Sequence, residues 1–122
     1  MIPILLVAAG GALGAVARYL VGQAFAQRFG THWPWGTLFI NLSGCLLISL
    51  LLGASSGRLS DSAFRYLLPI GFVGAYTTFS TYEYETLRLF ELGRAGSALA
   101  YVAASNLLGF AAVLAGSWLA RR

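Results

Sequence analysis

Four apolar stretches, each long enough to cross the hydrocarbon core of a bilayer, leave this chain few folds. They cover residues 3–25, 35–54, 64–90 and 95–119, joined by short polar links. A helix needs about 20 mostly apolar residues to span the ~30 Å core. Every backbone N–H and C=O inside lipid must be bonded within the protein, so only helices and closed barrels span it. Four spans are too few for a barrel, which takes about eight strands or more. The expectation is an all-α membrane protein, one four-helix transmembrane domain over residues 1–122, since no link is long enough to hold a second domain.

The composition agrees. Hydrophobic residues make up 58% of the chain and charged ones 10%, against about 25% charged in a typical soluble domain; the mean hydropathy is +0.75. The eight basic residues are all arginines, scattered singly between apolar stretches. Nucleic-acid binding would need them clustered on one face, so no nucleic-acid partner is expected. Cys45 is the single cysteine and His32 the single histidine, which excludes a disulfide framework and a Cys/His metal cluster. No Ser/His/Asp or Cys/His arrangement and no phosphate-cradling loop is present, so the chain does not read as an enzyme. Its start lacks the basic region of a signal peptide, and the first apolar run is too long for one; that run is expected to stay in the mature protein.

The third stretch is the odd one. Residues Gly71 to Tyr82 contain two glycines, three threonines and a serine, with Phe79 and Tyr82 three apart. These are weak helix formers whose hydroxyls compete for backbone hydrogen bonds, so a break in mid-membrane is expected here. Such breaks survive only where protein or water satisfies the freed backbone, and transporters place ion sites in them. Beyond the break Glu85 and Arg88 can pair at i, i+3 on a solvated helix end.

The other stretches carry polar groups that do not suit lipid. Gly10, Gly14, Arg18 and Gly22 recur every four residues, a packing stripe in which Arg18 snorkels to the interface, ties down a carbonyl, or supplies positive potential to an anion route. Asn41 lies about two turns into the second stretch and serves as helix-to-helix glue or faces a pore. Tyr101 and Ser105, with Ser97, Gly109 and Ala112, form a stripe on the fourth, and Asn106 lies beside it. The inventory is mostly donors: the Asn41 amide, Arg18, and the hydroxyls of Thr77, Thr78, Ser80, Thr81 and Ser105. Donors suit a small, strongly hydrated anion, and the Phe79 ring edge adds positive potential. Cation and proton carriers generally need an intramembrane acid, and the first, second and fourth stretches hold none.

Orientation is weakly specified. Arg58, Arg65, Arg121 and Arg122 would lie on one side and Arg28, Arg88 and Arg94 near the other, a small bias under the positive-inside rule. Insertion in both orientations, and hence an antiparallel dimer, is open to such a chain.

Three segments resemble one known family, the bacterial Fluc (CrcB) fluoride channels. They are Gly10-Gly-Ala-Leu-Gly-Ala-Val-Ala-Arg-Tyr19, Trp35-Gly-Thr-Leu-Phe-Ile-Asn-Leu-Ser-Gly44 and Gly71-Phe-Val-Gly-Ala-Tyr-Thr-Thr-Phe-Ser-Thr-Tyr-Glu-Tyr-Glu85, in order across nearly the whole chain. The resemblance implies a fluoride-selective channel that exports F⁻ passively across the bacterial inner membrane. It implies an antiparallel, dual-topology homodimer with a structural Na⁺ at its centre, held by backbone carbonyls of Gly74 and Thr77. It also implies that Asn41, Phe79, Tyr82, Tyr101 and Ser105 line the pore, joined by Thr78, Ser80 and Arg18 from the donor inventory. This chain departs from the family pattern in three places: Tyr82 replaces a phenylalanine, Ala75 a glycine, and Gly109 a hydroxyl. The rival readings are a small multidrug-type antiporter and a membrane subunit that transports nothing.

Overall fold

The computed structural model describes residues 1–53 and 62–122. Arg58 and the expected helix cap at Ser60 or Asp61 lie outside the described residues. Those residues form α1 (Ile2–Phe29), α2 (Trp35–Gly53), α3 (Ser62–Arg65), a π-helical stretch (Tyr66–Val73), α4 (Gly74–Tyr76), α5 (Phe79–Glu91) and α6 (Ala95–Ala120). No strand occurs among them. Among the described residues three helices, α1, α2 and α6, are long and apolar enough to cross a membrane, with mean hydropathies of 1.9, 1.9 and 1.8 over their most apolar windows. Their 28, 19 and 26 residues correspond to about 42, 28 and 39 Å at 1.5 Å per residue.

Helix α1 runs to Phe29, past the expected end near residue 25, because nothing before Gly30 stops it. Gly30 takes φ +73°, a backbone that side chains rarely adopt, and its N–H closes the helix on the Ala26 carbonyl. Helix α2 begins after Pro34, which has no N–H to leave unbonded and whose carbonyl accepts from Leu38 N at 3.1 Å. Gly93, at φ +72°, turns the chain from α5 into α6.

Backbone contact through glycines sets the packing. Helix α1 lies against the π-helical stretch so closely that a Cβ on Gly10 would stand 2.0 Å from the Leu67 carbonyl oxygen, and one on Gly14 2.2 Å from that of Phe72. On the other side, α2 packs on α6, where a Cβ on Gly116 would meet Ser49 Oγ at 2.0 Å. Small residues are what let membrane helices approach this far. Gly22, the last member of the expected α1 stripe, has nothing within 4 Å of such a Cβ and is not part of the seam.

Residues Ser62 to Glu91 change conformation four times. Pro69 sits inside the π-helical stretch and has no N–H for the usual bond to the carbonyl four residues back, and a wider coil runs through it. Thr77 (φ −77°, ψ 155°) and Thr78 (φ −148°, ψ 111°) are extended between α4 and α5. Gly71 and Gly74, expected to help bend the chain, are both helical. Gly71 serves packing instead, since a Cβ there would lie 2.9 Å from the Val7 carbonyl oxygen. The threonines interrupt the helix by bonding locally: Thr77 Oγ1 donates to the Val73 carbonyl, and Thr78 Oγ1 caps α5 by accepting from Thr81 N. Ala75 is helical as well, so the missing glycine there does not constrain the backbone.

Candidate functional site

Side chains from two other helices bond part of the interrupted backbone. In an uninterrupted helix Thr78 N–H would donate to the Gly74 carbonyl and Phe79 N–H to that of Ala75. Instead Thr78 N donates to Asn41 Oδ1 at 2.8 Å, and Asn41 Nδ2 returns a bond to the Thr78 carbonyl at 3.1 Å. Arg18 Nε donates to the Ala75 carbonyl at 3.1 Å. Asn41 on α2 and Arg18 on α1 thus hold the two sides of the interruption. Ser43 and Tyr76 share a further bond at 2.9 Å. Gly44 admits the Thr77 methyl, which would stand 2.1 Å from a Cβ at that position.

Three cavities follow one another along this region. A cavity of about 370 Å³ beside the interruption is lined by Asn41, Thr78, Phe79, Tyr82, Ser105 and Asn106, among others. One of about 310 Å³ includes Arg18, Thr37, Thr78 and Thr81. A third, of about 500 Å³, opens where α1 meets α2 and includes His32, Trp33, Thr37, Glu85 and Arg88. Thr78 borders the first two and Thr37 the last two, so hydroxyls stand at both junctions.

Glu85 is half-buried and turned inward, not solvated as its neighbours in sequence suggest. Thr37 Oγ1 donates to its Oε1 and the Tyr101 hydroxyl to its Oε2, both at 2.7 Å. Arg88 pairs with Glu91 at 2.8 Å and not with Glu85. Both glutamates are three residues from Arg88, but only Glu91 shares its exposed side. Tyr101 is fully buried, with its hydroxyl committed to Glu85.

An aromatic series runs beside these groups. Ring centroids are 5.7 Å apart for Phe79–Tyr82, 5.2 Å for the edge-on Tyr82–Tyr101 pair, and 5.3 Å for Tyr101–Trp33. Phe79 is 73% exposed in the single chain, and Ser80 beside it is exposed too. Ser105 Oγ is buried with no hydrogen-bond partner. Asn106 Nδ2 donates to the Tyr82 hydroxyl oxygen and to the Val102 carbonyl.

The structure therefore brings Asn41, Thr78, Phe79, Tyr82 and Ser105 to one cavity, places Arg18 on the next and Tyr101 behind Glu85, and leaves Ser80 off the 370 Å³ cavity. Sequence reasoning passed over Thr37 and read Glu85 only as a partner for Arg88 on a solvated helix end. Their signal was faint: Thr37 lies one turn before Asn41 on α2, and Glu85 three residues after Tyr82 on α5. No group of three or more His, Cys, Asp or Glu able to hold a metal occurs among the described residues.

The chain matches the model of the family described as CrcB-like protein, Camphor Resistance (CrcB), over residues 5–117. It belongs to the CrcB family. Relatives agree over nearly full length. A protein of Acidobacterium capsulatum is 50% identical over 117 residues, covering 95% of this chain and 94% of its own. One of Nitrobacter winogradskyi is 50% identical over 119 residues, with 97% and 94% covered. One of a Caulobacter species is 46% identical over 124 residues, with 100% and 97% covered. Each of these relatives is named a fluoride-specific ion channel, FluC.

Proposed function

We infer that this chain is a fluoride-selective channel in a bacterial membrane, letting F⁻ leave the cell passively and so relieving its toxicity. The observation that carries the reading is the match at 46–50% identity, over nearly the whole chain, to relatives named for fluoride conduction. The site chemistry supports it. Fluoride gives up tightly held water only where N–H and O–H groups replace it. Asn41, Thr78, Tyr82 and Ser105 line one cavity, with Arg18, Thr37 and Thr81 on the next. In this reading those groups, with Phe79, Ser80 and Tyr101, mark the path, and Arg18 contributes positive potential. Neutral HF that enters from an acidic medium dissociates inside, and an interior-negative potential then drives the anion outward by about 2.3 kcal/mol per 100 mV. The antiporter reading needs an embedded acid free to exchange protons, whereas Glu85 has both oxygens occupied by hydroxyls.

In the same reading, residues 62–91 are the third of four membrane spans, broken at Thr77–Thr78, and two copies pair in antiparallel orientation. Support comes from the outward face of the break. Gly74 is exposed with open space beside it, and Phe79 is exposed too. Interrupted backbone at membrane depth must be covered by protein or line a cavity, and a second copy would cover it. The near balance of arginines between the two ends agrees with dual insertion.

The sodium ion implied by the family resemblance fits the backbone at the break. The Gly74 carbonyl has lost its helical donor to Asn41, and the extended Thr77 no longer directs its carbonyl along a helix. Uncharged carbonyls of unwound helices are suited to Na⁺. When bound there, the ion would supply the positive charge that holds two such breaks together.

The test is ion efflux from proteoliposomes read with a fluoride electrode. Fluoride should leave far faster than chloride, and equal rates would refute selectivity. Replacing sodium by potassium throughout purification should lower the active fraction; full activity without sodium would remove the ion from the account.

A further inference from the structure

We propose that Arg88 draws fluoride from water into the mouth of the path, and that its ion pair with Glu91 holds this attraction down. The proposal rests on the fluoride-channel reading and adds to it the step before the ion reaches Arg18 and Asn41.

The mouth is the cavity of about 500 Å³ that opens where α1 meets α2. An anion enters it only if the charges in its wall allow. Among the described residues that line it, Glu85 is the one carboxylate and Arg88 the one arginine, with His32 the remaining titratable group. Both Glu85 oxygens accept from hydroxyls, one from Thr37 and the other from Tyr101, an arrangement that suits the ionised form. Fluoride in this cavity therefore meets a fixed negative charge beside Thr37, where the next cavity begins. A positive charge on the same wall offsets it. Arg88 supplies one, nearly a turn beyond Glu85 on α5, and its guanidinium pairs with Glu91 and not with that carboxylate.

The pairing leaves Arg88 available. Its Nη1 bonds Glu91 Oε2 at 2.8 Å, and the two side chains are 52% and 49% exposed. A single contact leaves most of the guanidinium's N–H donors free, and an exposed pair of this kind is worth little. Glu91 does not line the cavity, so it weakens the field of Arg88 from outside without standing in the path. Arg94 is no substitute. It donates to the His32 carbonyl and does not line the cavity either.

The size of the effect follows from the size of the cavity. A sphere of that volume has a radius of roughly 5 Å, and a unit charge roughly 5–8 Å away in water changes the local concentration of a monovalent ion about two- to fourfold. Salt erases such an effect, since the Debye length falls from about 30 Å at 0.01 M to about 3 Å at 1 M. Loss of a packing contact would not respond to salt in this way.

The test uses the full chain in phosphatidylcholine vesicles, whose surface carries no net charge, at fluoride low enough that the rate is proportional to it. Initial efflux is read with a fluoride electrode, with potassium and valinomycin balancing the charge, in sodium isethionate raised from about 0.01 M to about 1 M on both sides. Arg88→Gln should lower the rate about two- to fourfold at low salt and match the wild type at high salt. Arg88→Lys keeps the charge and should restore most of the rate. Glu91→Gln should raise the low-salt rate, by up to about twofold, and converge in the same way. An unchanged low-salt rate in Arg88→Gln, a deficit that persists in full at high salt, or a Glu91→Gln chain no faster than the wild type would overturn the proposal while the wild-type chain still conducts fluoride. Should Arg88→Gln fail to fold, the Glu91→Gln comparison decides alone. A wild-type chain that conducts none would overturn the channel reading and the capture step together.

Discussion

Replacing Asn41 by alanine should loosen the interruption between α4 and α5 before it affects anything else. The amide makes two bonds across helices, accepting from Thr78 N at 2.8 Å and donating to the Thr78 carbonyl at 3.1 Å. Each is worth about 1 kcal/mol net, and more where the partner left behind is cut off from water. The site borders a cavity, so water can reach it and the lower figure applies to both, giving about 2 kcal/mol. At about 1.4 kcal/mol per factor of ten, local opening becomes about 30 times more frequent. Hydrogen exchange of a peptide covering residues 74–82, in detergent-purified protein, reads that change directly. Asn41→Asp is the informative partner. It keeps an acceptor for Thr78 N, so the amide stays protected, but sets a carboxylate oxygen against the Thr78 carbonyl and an anion against the fluoride path. Fluoride efflux should fall further in Asn41→Asp than in Asn41→Ala. Unchanged exchange in Asn41→Ala would show that the interruption supports itself, and the clasp argument would fail.

Gly14→Val should abolish a monodisperse product on size exclusion, because even a Cβ would lie 2.2 Å from the Phe72 carbonyl oxygen. Gly22→Ala has nothing within 4 Å to strike and should raise the melting temperature, as the gain in helix propensity is up to about 1 kcal/mol. Tyr101→Phe removes the donor 2.7 Å from Glu85 Oε2 and should destabilise the chain by about 1–3 kcal/mol; a wild-type melting curve would contradict the network. Arg18→Gln takes the guanidinium from the Ala75 carbonyl and should slow fluoride efflux severalfold, and wild-type flux would exclude Arg18 from the site.

Much of this protein was legible residue by residue. Apolar run length, the glycines of α1, Pro34 before α2 and the small polar residues around Thr77 each act through local terms: transfer into lipid, helix propensity and missing donors. Those terms need no knowledge of distant neighbours, and they yielded an all-helical membrane chain with donor-rich helices. Position-specific roles were harder to read. The break was expected somewhere within Gly71 to Tyr82, glycines and threonines alike, yet Gly71 and Gly74 are helical and only Thr77 and Thr78 are extended. Glu85 looked solvated, yet it bonds partners 48 and 16 residues away. The reason is geometric. Which hydroxyl meets which carboxylate depends on how far helices approach and how they are rotated, and here glycine seams between α1 and the π-helical stretch, and between α2 and α6, set both. Only assembled helices put Asn41 on Thr78, Arg18 on Ala75 and Asn106 on Tyr82.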